Sequence, residues 1–178
     1  MPELPEVETR VRSLRESKRG PSLIGTTILD VTLNWPRHVD RPEVDVFRQR
    51  IRGRRVLAVG RRGKFLVFTL DRGALIIHLR MTGDLYLRRH EEAAQPHEHT
   101  IFHLPGGWEL RFRDTRKFGR VYWVEDPREV LGGLGPEPLS PTFTAERLAE
   151  KLRGRRRRLK PLLLDQSFLA GLGNIYTD

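Results

Sequence analysis

Apolar positions along the chain change period twice, and each change marks a new kind of structure. Residues 4–18 carry Val7, Val11 and Leu14 at i, i+4 and i+7 with charged residues between them, which predicts an amphipathic helix ended by Gly20-Pro21. Thr26–Leu33 alternates with β-branched residues and predicts a strand. Pro36 and Pro42 bracket a loop, and Glu43–Ile51 predicts a short helix that uses Val44, Phe47 and Ile51. From there the period falls to two. Short strands are predicted at Val56–Gly60, Lys64–Leu70, Ala74–Leu79, Asp84–Arg89, Thr100–Leu104, Trp108–Arg113 and Val121–Val124. Asp71-Arg72-Gly73, Thr82-Gly83 and Pro105-Gly106-Gly107 supply turns, and polar residues 88–98 read as a surface loop. That density of short antiparallel strands predicts a β-sandwich or barrel.

The strand signal stops after Asp126-Pro127. Gly132-Gly133-Leu134-Gly135-Pro136-Glu137-Pro138 reads as a linker and divides the chain into 1–131 and 132–178. Beyond it the helical period returns. Thr144–Leu152 predicts a helix with Thr144 as its cap, and Leu159–Leu164 begins another. Gly171-Leu172-Gly173-Asn174 is a tight Gly-rich turn, and the sequence stops at Asp178 in mid-motif.

Composition narrows the class. The 38% hydrophobic share of 178 residues suffices for a core. No apolar run is long enough for a bilayer and no secretory leader is evident, so a cytoplasmic protein without membrane contact is expected. The absence of cysteine excludes disulfides and thiolate-bound zinc within these residues. His97, His99 and His103 raise the question of a metal, but no carboxylate spacing completes a known site, and the bland reading of structural or solvent-facing strand histidines is preferred. The formal charge of +10 points to a polyanion, most simply nucleic acid. Seven basic residues fall within 151–160, leaving 26 basic against 23 acidic elsewhere. The 28 Arg and 5 Lys make each lysine informative, because Arg is the default where only charge matters.

Several stretches could carry chemistry, and each has a bland reading beside it. Pro2 follows Met1, and trimming of Met1 leaves a terminal secondary amine. Such α-amines titrate at roughly 7.7–8.0, so a useful fraction is nucleophilic near neutrality. Glu3 beside it, with Glu6 close behind, suits covalent catalysis with proton transfer. The same residues also suit an ordinary helix start. Lys64, at a turn with Arg61 and Arg62, is either a phosphate clamp or a solvated strand end. Met81 is either a wedge at a loop tip or a core methionine. Arg116 and Phe118, in Asp114-Thr115-Arg116-Lys117-Phe118-Gly119, suit insertion into a base stack, or Phe118 folds back into the core. Asn174 in its Gly-rich turn could meet a phosphate. Arg155–Arg158 is a solvated or phosphate-facing surface. No P-loop, dinucleotide fingerprint, HExxH or Ser-His-Asp order is present.

Together these pieces resemble the formamidopyrimidine-DNA glycosylase family, bacterial repair enzymes for oxidised purines. The resemblance runs along the whole chain through PELPEVE at 2–8, RRGKFL at 61–66, IIHLRMTG at 76–83, DTRKFG at 114–119 and LLLDQSFLAGLGNIY at 162–176. It implies an α+β protein: an N-terminal catalytic β-sandwich with a leading helix over 1–131, then part of a helix-two-turn-helix domain over 132–178. It implies attack by Pro2 on C1′ of a damaged nucleotide, proton transfer by Glu3, and ordering of the site by Glu6. Lys64 and Asn174 would hold flanking phosphates. Met81, Arg116 and Phe118 would fill the gap left by the flipped nucleotide, and Lys160 would approach the lesion or its backbone. The implied partner is damaged double-stranded DNA in the bacterial nucleoid, met by a monomer. No organic cofactor is needed for these steps, and the family's one zinc ion belongs to a C-terminal cysteine finger absent from these residues. Because that finger and half of the helical domain are missing, a fragment that binds DNA without turnover is the alternative. A basic β-domain binding nucleic acid nonspecifically is a third reading.

Overall fold

The computed structural model describes residues 1–16 and 20–178. Helix α1 spans Leu4–Glu16 and buries Leu4, Val7, Val11 and Leu14. The predicted residues 17 and 18 of this helix lie outside the described residues. Helix α2, Val44–Ile51, buries Phe47 and Ile51 as its spacing predicts. The strands are β1 (Asp30–Leu33), β2 (Val39–Arg41), β3 (Val56–Arg62), β4 (Phe65–Leu70), β5 (Ala74–His78), β6 (Gly83–Arg89), β7 (Glu98–Leu104), β8 (Trp108–Asp114) and β9 (Arg120–Val124).

They form two sheets. One has the order β1-β7-β8-β6, and the other β2-β9-β5-β4-β3. Every pairing is antiparallel except β2 with β9. Their facing sides share one core with α1 and α2, built on Phe47, Phe68, Phe102 and Phe112 among others. Strand β5 is buried at all five positions because its second face is also covered. There Ala74, Ile76, Tyr122 and Val124 pack with Val130 and Leu131 of α3 (Arg128–Leu131). A strand buried on both faces reads as a continuous apolar run, which is how 74–77 reads.

Three expectations are corrected. The predicted strand Thr26–Leu33 is regular only from Asp30, because its two halves serve different partners. Ile28 N–H donates to Arg54 O at 2.8 Å, whereas Leu29 N–H donates to His103 O at 2.8 Å. The loop expected between Pro36 and Pro42 holds a single 3-10 turn, Pro36–His38, and then β2. The 88–98 surface loop is also shorter than its polarity suggests. Glu98 is buried, and a register shift between it and Thr100 turns it toward Arg111, which it meets at 3.1 Å. Arg111 also donates to the carbonyls of Arg89 at 3.1 Å and Glu92 at 3.0 Å, tying the loop down.

The remaining helices are α4 (Ala145–Leu152), α5 (Leu159–Leu164) and α6 (Asn174–Thr177). Thr144 caps α4, accepting from Arg147 N–H at 3.4 Å. Leu162, Phe168 and Leu169 gather Phe143, Leu148 and Leu152 into a second small core. The Gly-rich turn at 171–173 opens α6. Among the described residues no helix is long and apolar enough to cross a membrane.

Candidate active site

The start of α1 arranges both carboxylates next to Pro2. Glu6 Oε2 accepts the Glu3 N–H at 2.9 Å, the reciprocal half of a capping box. Its other oxygen accepts the Tyr176 hydroxyl at 3.2 Å. Burial pulls the Glu6 carboxyl up, but the backbone and tyrosine donors outweigh it and hold the group below its ordinary value.

Glu3 faces the other way, toward the far end of the chain. It is 1% exposed. Its carboxylate accepts the N–H groups of Gly173 at 2.6 Å, Ile175 at 2.8 Å and Tyr176 at 3.4 Å. Free amides at a helix start are satisfied in this way, with negative charge at the positive end. A Cβ on Gly173 would stand 2.4 Å from Glu3 Cδ, so only glycine fits. Leu4 N–H adds a bond to Gly171 O at 3.0 Å. The amino terminus is therefore stitched to residues 171–176. Pro2 is half-buried beside this junction, behind an exposed Met1.

Lys64 enters the same place from the β3–β4 turn and is 6% exposed. Burial pushes its ammonium below the ordinary lysine value, against the pull of the Glu3 carboxylate. The solvated-lysine reading is thus overturned. A residue given no role by the sequence holds this turn. Glu137, in the 132–138 linker, accepts from Arg61 at 2.8 Å, Arg62 at 3.0 Å and the Gly63 N–H. Burial raises the Glu137 carboxyl, but these donors hold it below its ordinary value. Arg61 also reaches Glu8 at 3.3 Å, joining linker, turn and α1.

Strand register gathers the other candidates on one rim. In the five-stranded sheet Arg62 pairs Phe65, Phe65 pairs His78, and His78 pairs Arg120. The turn at 63–64, the connection 79–82 and the turn 115–119 therefore leave the same edge. Met81 is 41% and Phe118 48% exposed, so neither is a core residue. The Arg116 guanidinium lies 4.9 Å from the Phe118 ring centre. His78, buried at this edge, accepts the Arg80 N–H at 3.0 Å. Burial, with Arg80 and Lys64 nearby, lowers it to about 3, so it is neutral.

Asn174 is exposed at the start of α6. Lys160, exposed on α5, pairs with the Asp178 carboxylate. Arg155–Arg158 are exposed. The three strand histidines do not converge. His103 Nδ1 lies 3.1 Å from Glu109, whereas the His99 ring packs against His38 and His97. Among the described residues no cluster of three or more His, Asp or Glu fits a metal.

Comparison with known proteins matches this arrangement on both sides of the linker. Residues 1–121 match the family model for the formamidopyrimidine-DNA glycosylase N-terminal domain, and residues 134–178 that for its H2TH domain. The fold class is thus an α+β protein in which a two-sheet domain precedes H2TH helices. Within that class, the chain belongs to the formamidopyrimidine-DNA glycosylase family of base-excision repair proteins. It is 49% identical to the formamidopyrimidine-DNA glycosylase of Geobacillus kaustophilus, covering 100% of this chain and 65% of that protein. For the Protochlamydia amoebophila protein the figures are 45%, 100% and 63%. The structure of the Lactococcus lactis protein with abasic-site DNA superposes with a TM-score of 0.88 at 33% identity, covering 99% of this chain and 64% of that one. The chain thus spans about 65% of such relatives. None of its 178 residues is a cysteine, so it supplies no thiolate to the zinc finger, which lies in the uncovered C-terminal part of the relatives.

Proposed function

We propose that this chain carries the reaction centre of a bifunctional glycosylase that removes oxidised purines, formamidopyrimidines and 8-oxoguanine, from double-stranded DNA and cleaves the strand. The observation that carries the reading is the single rim. Register puts Lys64, Met81, Arg116 and Phe118 on one edge, beside the junction of Pro2 and Glu3 with residues 171–176. Removal of Met1 is required, because an acylated proline nitrogen is not nucleophilic. The freed amine attacks C1′, forming N–C1′ as the base leaves with the electron pair of its broken bond and is protonated by solvent, while the Glu3 carboxylate takes the amine proton. Glu3 then passes that proton to the ring oxygen, and the nitrogen lone pair expels this oxygen to open the sugar and leave an iminium. The iminium acidifies C2′–H, whose loss expels the 3′ phosphate; a second elimination releases the 5′ phosphate.

The other residues bind and orient. Glu6 fixes the start of α1, and Lys64 and Asn174 take the flanking phosphates. Met81, Arg116 and Phe118 occupy the space of the extruded nucleotide, where apolar and guanidinium groups restore stacking. Lys160 meets the backbone or lesion from α5. The division 1–131 and 132–178 then separates the reacting domain from part of a DNA-holding one. A second reading is binding to DNA without turnover; the chain spans about 65% of its relatives' length.

Borohydride reduction during incubation with duplex DNA containing 8-oxoguanine or an abasic site decides between them. The expected result is a covalent adduct mapped to Pro2 in protein lacking Met1, and none at residue 2 in protein that retains Met1, where the proline nitrogen stays acylated. Duplex binding without an adduct at an abasic site would establish the second reading. Binding that ignores the lesion and falls steeply with salt would support nonspecific association instead.

A further inference from the structure

The two loops on the rim are joined by one buried carboxylate. Asp114 ends β8 opposite Gly83 of β6 and is fully buried. Its Oδ1 accepts the Thr82 hydroxyl, 32 residues away in sequence, and the Arg116 N–H at 3.2 Å. Its Oδ2 accepts the Gly119 N–H at 2.7 Å. The Thr82 oxygen in turn accepts the Arg116 N–H at 3.0 Å, which closes a ring between the loops. Beneath this ring the packing is tight. A Cβ on Gly119 would stand 2.4 Å from Phe112 Cζ, and one on Gly83 2.8 Å from Phe112 Cε2. Met81 and Phe118, one residue before Thr82 and one before Gly119, stay exposed above it.

We propose that Asp114 is a positioning residue that makes the Met81 loop and the Arg116–Phe118 loop a single two-pronged probe, so that both prongs enter a duplex in one fixed geometry. This rests on the reading that those residues fill the gap beside the lesion. An aspartate that merely closed its own turn would need only the Arg116 and Gly119 N–H groups. The Thr82 hydroxyl is the additional partner that reaches the other loop. Two loops held at fixed separation lose less conformational freedom on insertion than two independent ones.

The test compares Thr82→Val, Thr82→Ser, Asp114→Asn, Met81→Ala and Phe118→Ala. Thr82 is exposed, so its variants leave the core untouched. The probe is a duplex holding a tetrahydrofuran abasic analogue with 2-aminopurine opposite it, whose emission reports insertion. Anisotropy on the matching single strand, which has no opposite strand to enter, is the control. Thr82→Val is expected to weaken duplex binding about tenfold and lower the emission change, leave single-strand binding unchanged, and be rescued by Thr82→Ser. Asp114→Asn, with one acceptor oxygen left, should fall in the same direction. Met81→Ala should add less in the Thr82→Val background than alone. Wild-type behaviour of Thr82→Val on the duplex, or equal loss on the single strand, overturns the positioning role. An emission change that Met81→Ala and Phe118→Ala leave intact, or its absence in the wild type, overturns the insertion reading itself.

Discussion

Glu3 has neighbours on two sides, and the second set explains why position 173 carries no side chain. One carboxylate sits beside Pro2 and also satisfies three amides at the start of α6. Gly173→Ala would put a methyl 2.4 Å from Glu3 Cδ and drive the carboxylate off those amides. Uncapping buried donors costs about 1–3 kcal/mol. The expected outcome is a lower melting temperature together with a loss of borohydride trapping on the order of 5- to 150-fold, since 1.4 kcal/mol is tenfold. A melting shift with full trapping would show that Glu3 keeps its placement without the α6 amides. The individual residues here were legible: an amine-bearing proline, adjacent acids and a rare lysine at a turn. The partner of Glu3 was not, because a contact across 170 residues leaves no local signal. Asp114 likewise stood inside a recognised motif, but its link to Thr82 exists only once β6 and β8 are in register.

At the level of elements, strands were the most legible part. Alternation and Gly or Pro turns define β3 to β9 to within two residues of where they lie, because both sheets hide one face in a common core. Segments with two partners misled, as 26–33 did. The linker misled in another way. Its glycines and prolines read as a passive connector, yet Glu137 clamps the β3–β4 turn that carries Lys64. Nothing local marks that acid, since its partners lie more than seventy residues earlier. Glu137→Ala should cost about 1–3 kcal/mol in urea unfolding, because Arg62 and the Gly63 N–H lose a partly buried acceptor while Arg61 keeps Glu8. Amide exchange at Gly63 should speed up in the same variant. Exchange unchanged from wild type would mean that the turn holds its shape without the linker.

At the scale of the molecule, two histidines tie its stability to pH. His38 is fully buried against Phe112, with Nδ1 3.2 Å from Thr100 Oγ1. Burial lowers it to about 4 from an ordinary 6.5, outweighing the nearby Asp114 carboxylate. His78 is lowered to about 3, again mainly by burial. In both cases the folded chain resists a proton that the unfolded chain accepts. Their contribution is therefore complete above pH 6.5 and declines as pH falls, toward about 4 for His38 and about 3 for His78. Each protonation adds a slope of about 1.4 kcal/mol per pH unit, so across their windows His38 withdraws about 3 kcal/mol and His78 about 5 kcal/mol. Carboxylates held low, such as Glu137, lose their contribution only below an ordinary 4.5, in the same direction but later. Acid should thus destabilise the protein well before its carboxylates titrate. His78→Gln isolates one histidine, since a glutamine oxygen can still accept the Arg80 N–H. Urea unfolding between pH 7.5 and 5 should show a slope shallower by about one proton in that variant. Parallel curves for variant and wild type would mean that His78 is not held neutral by the fold, and that the rim it supports tolerates a charge beside Lys64.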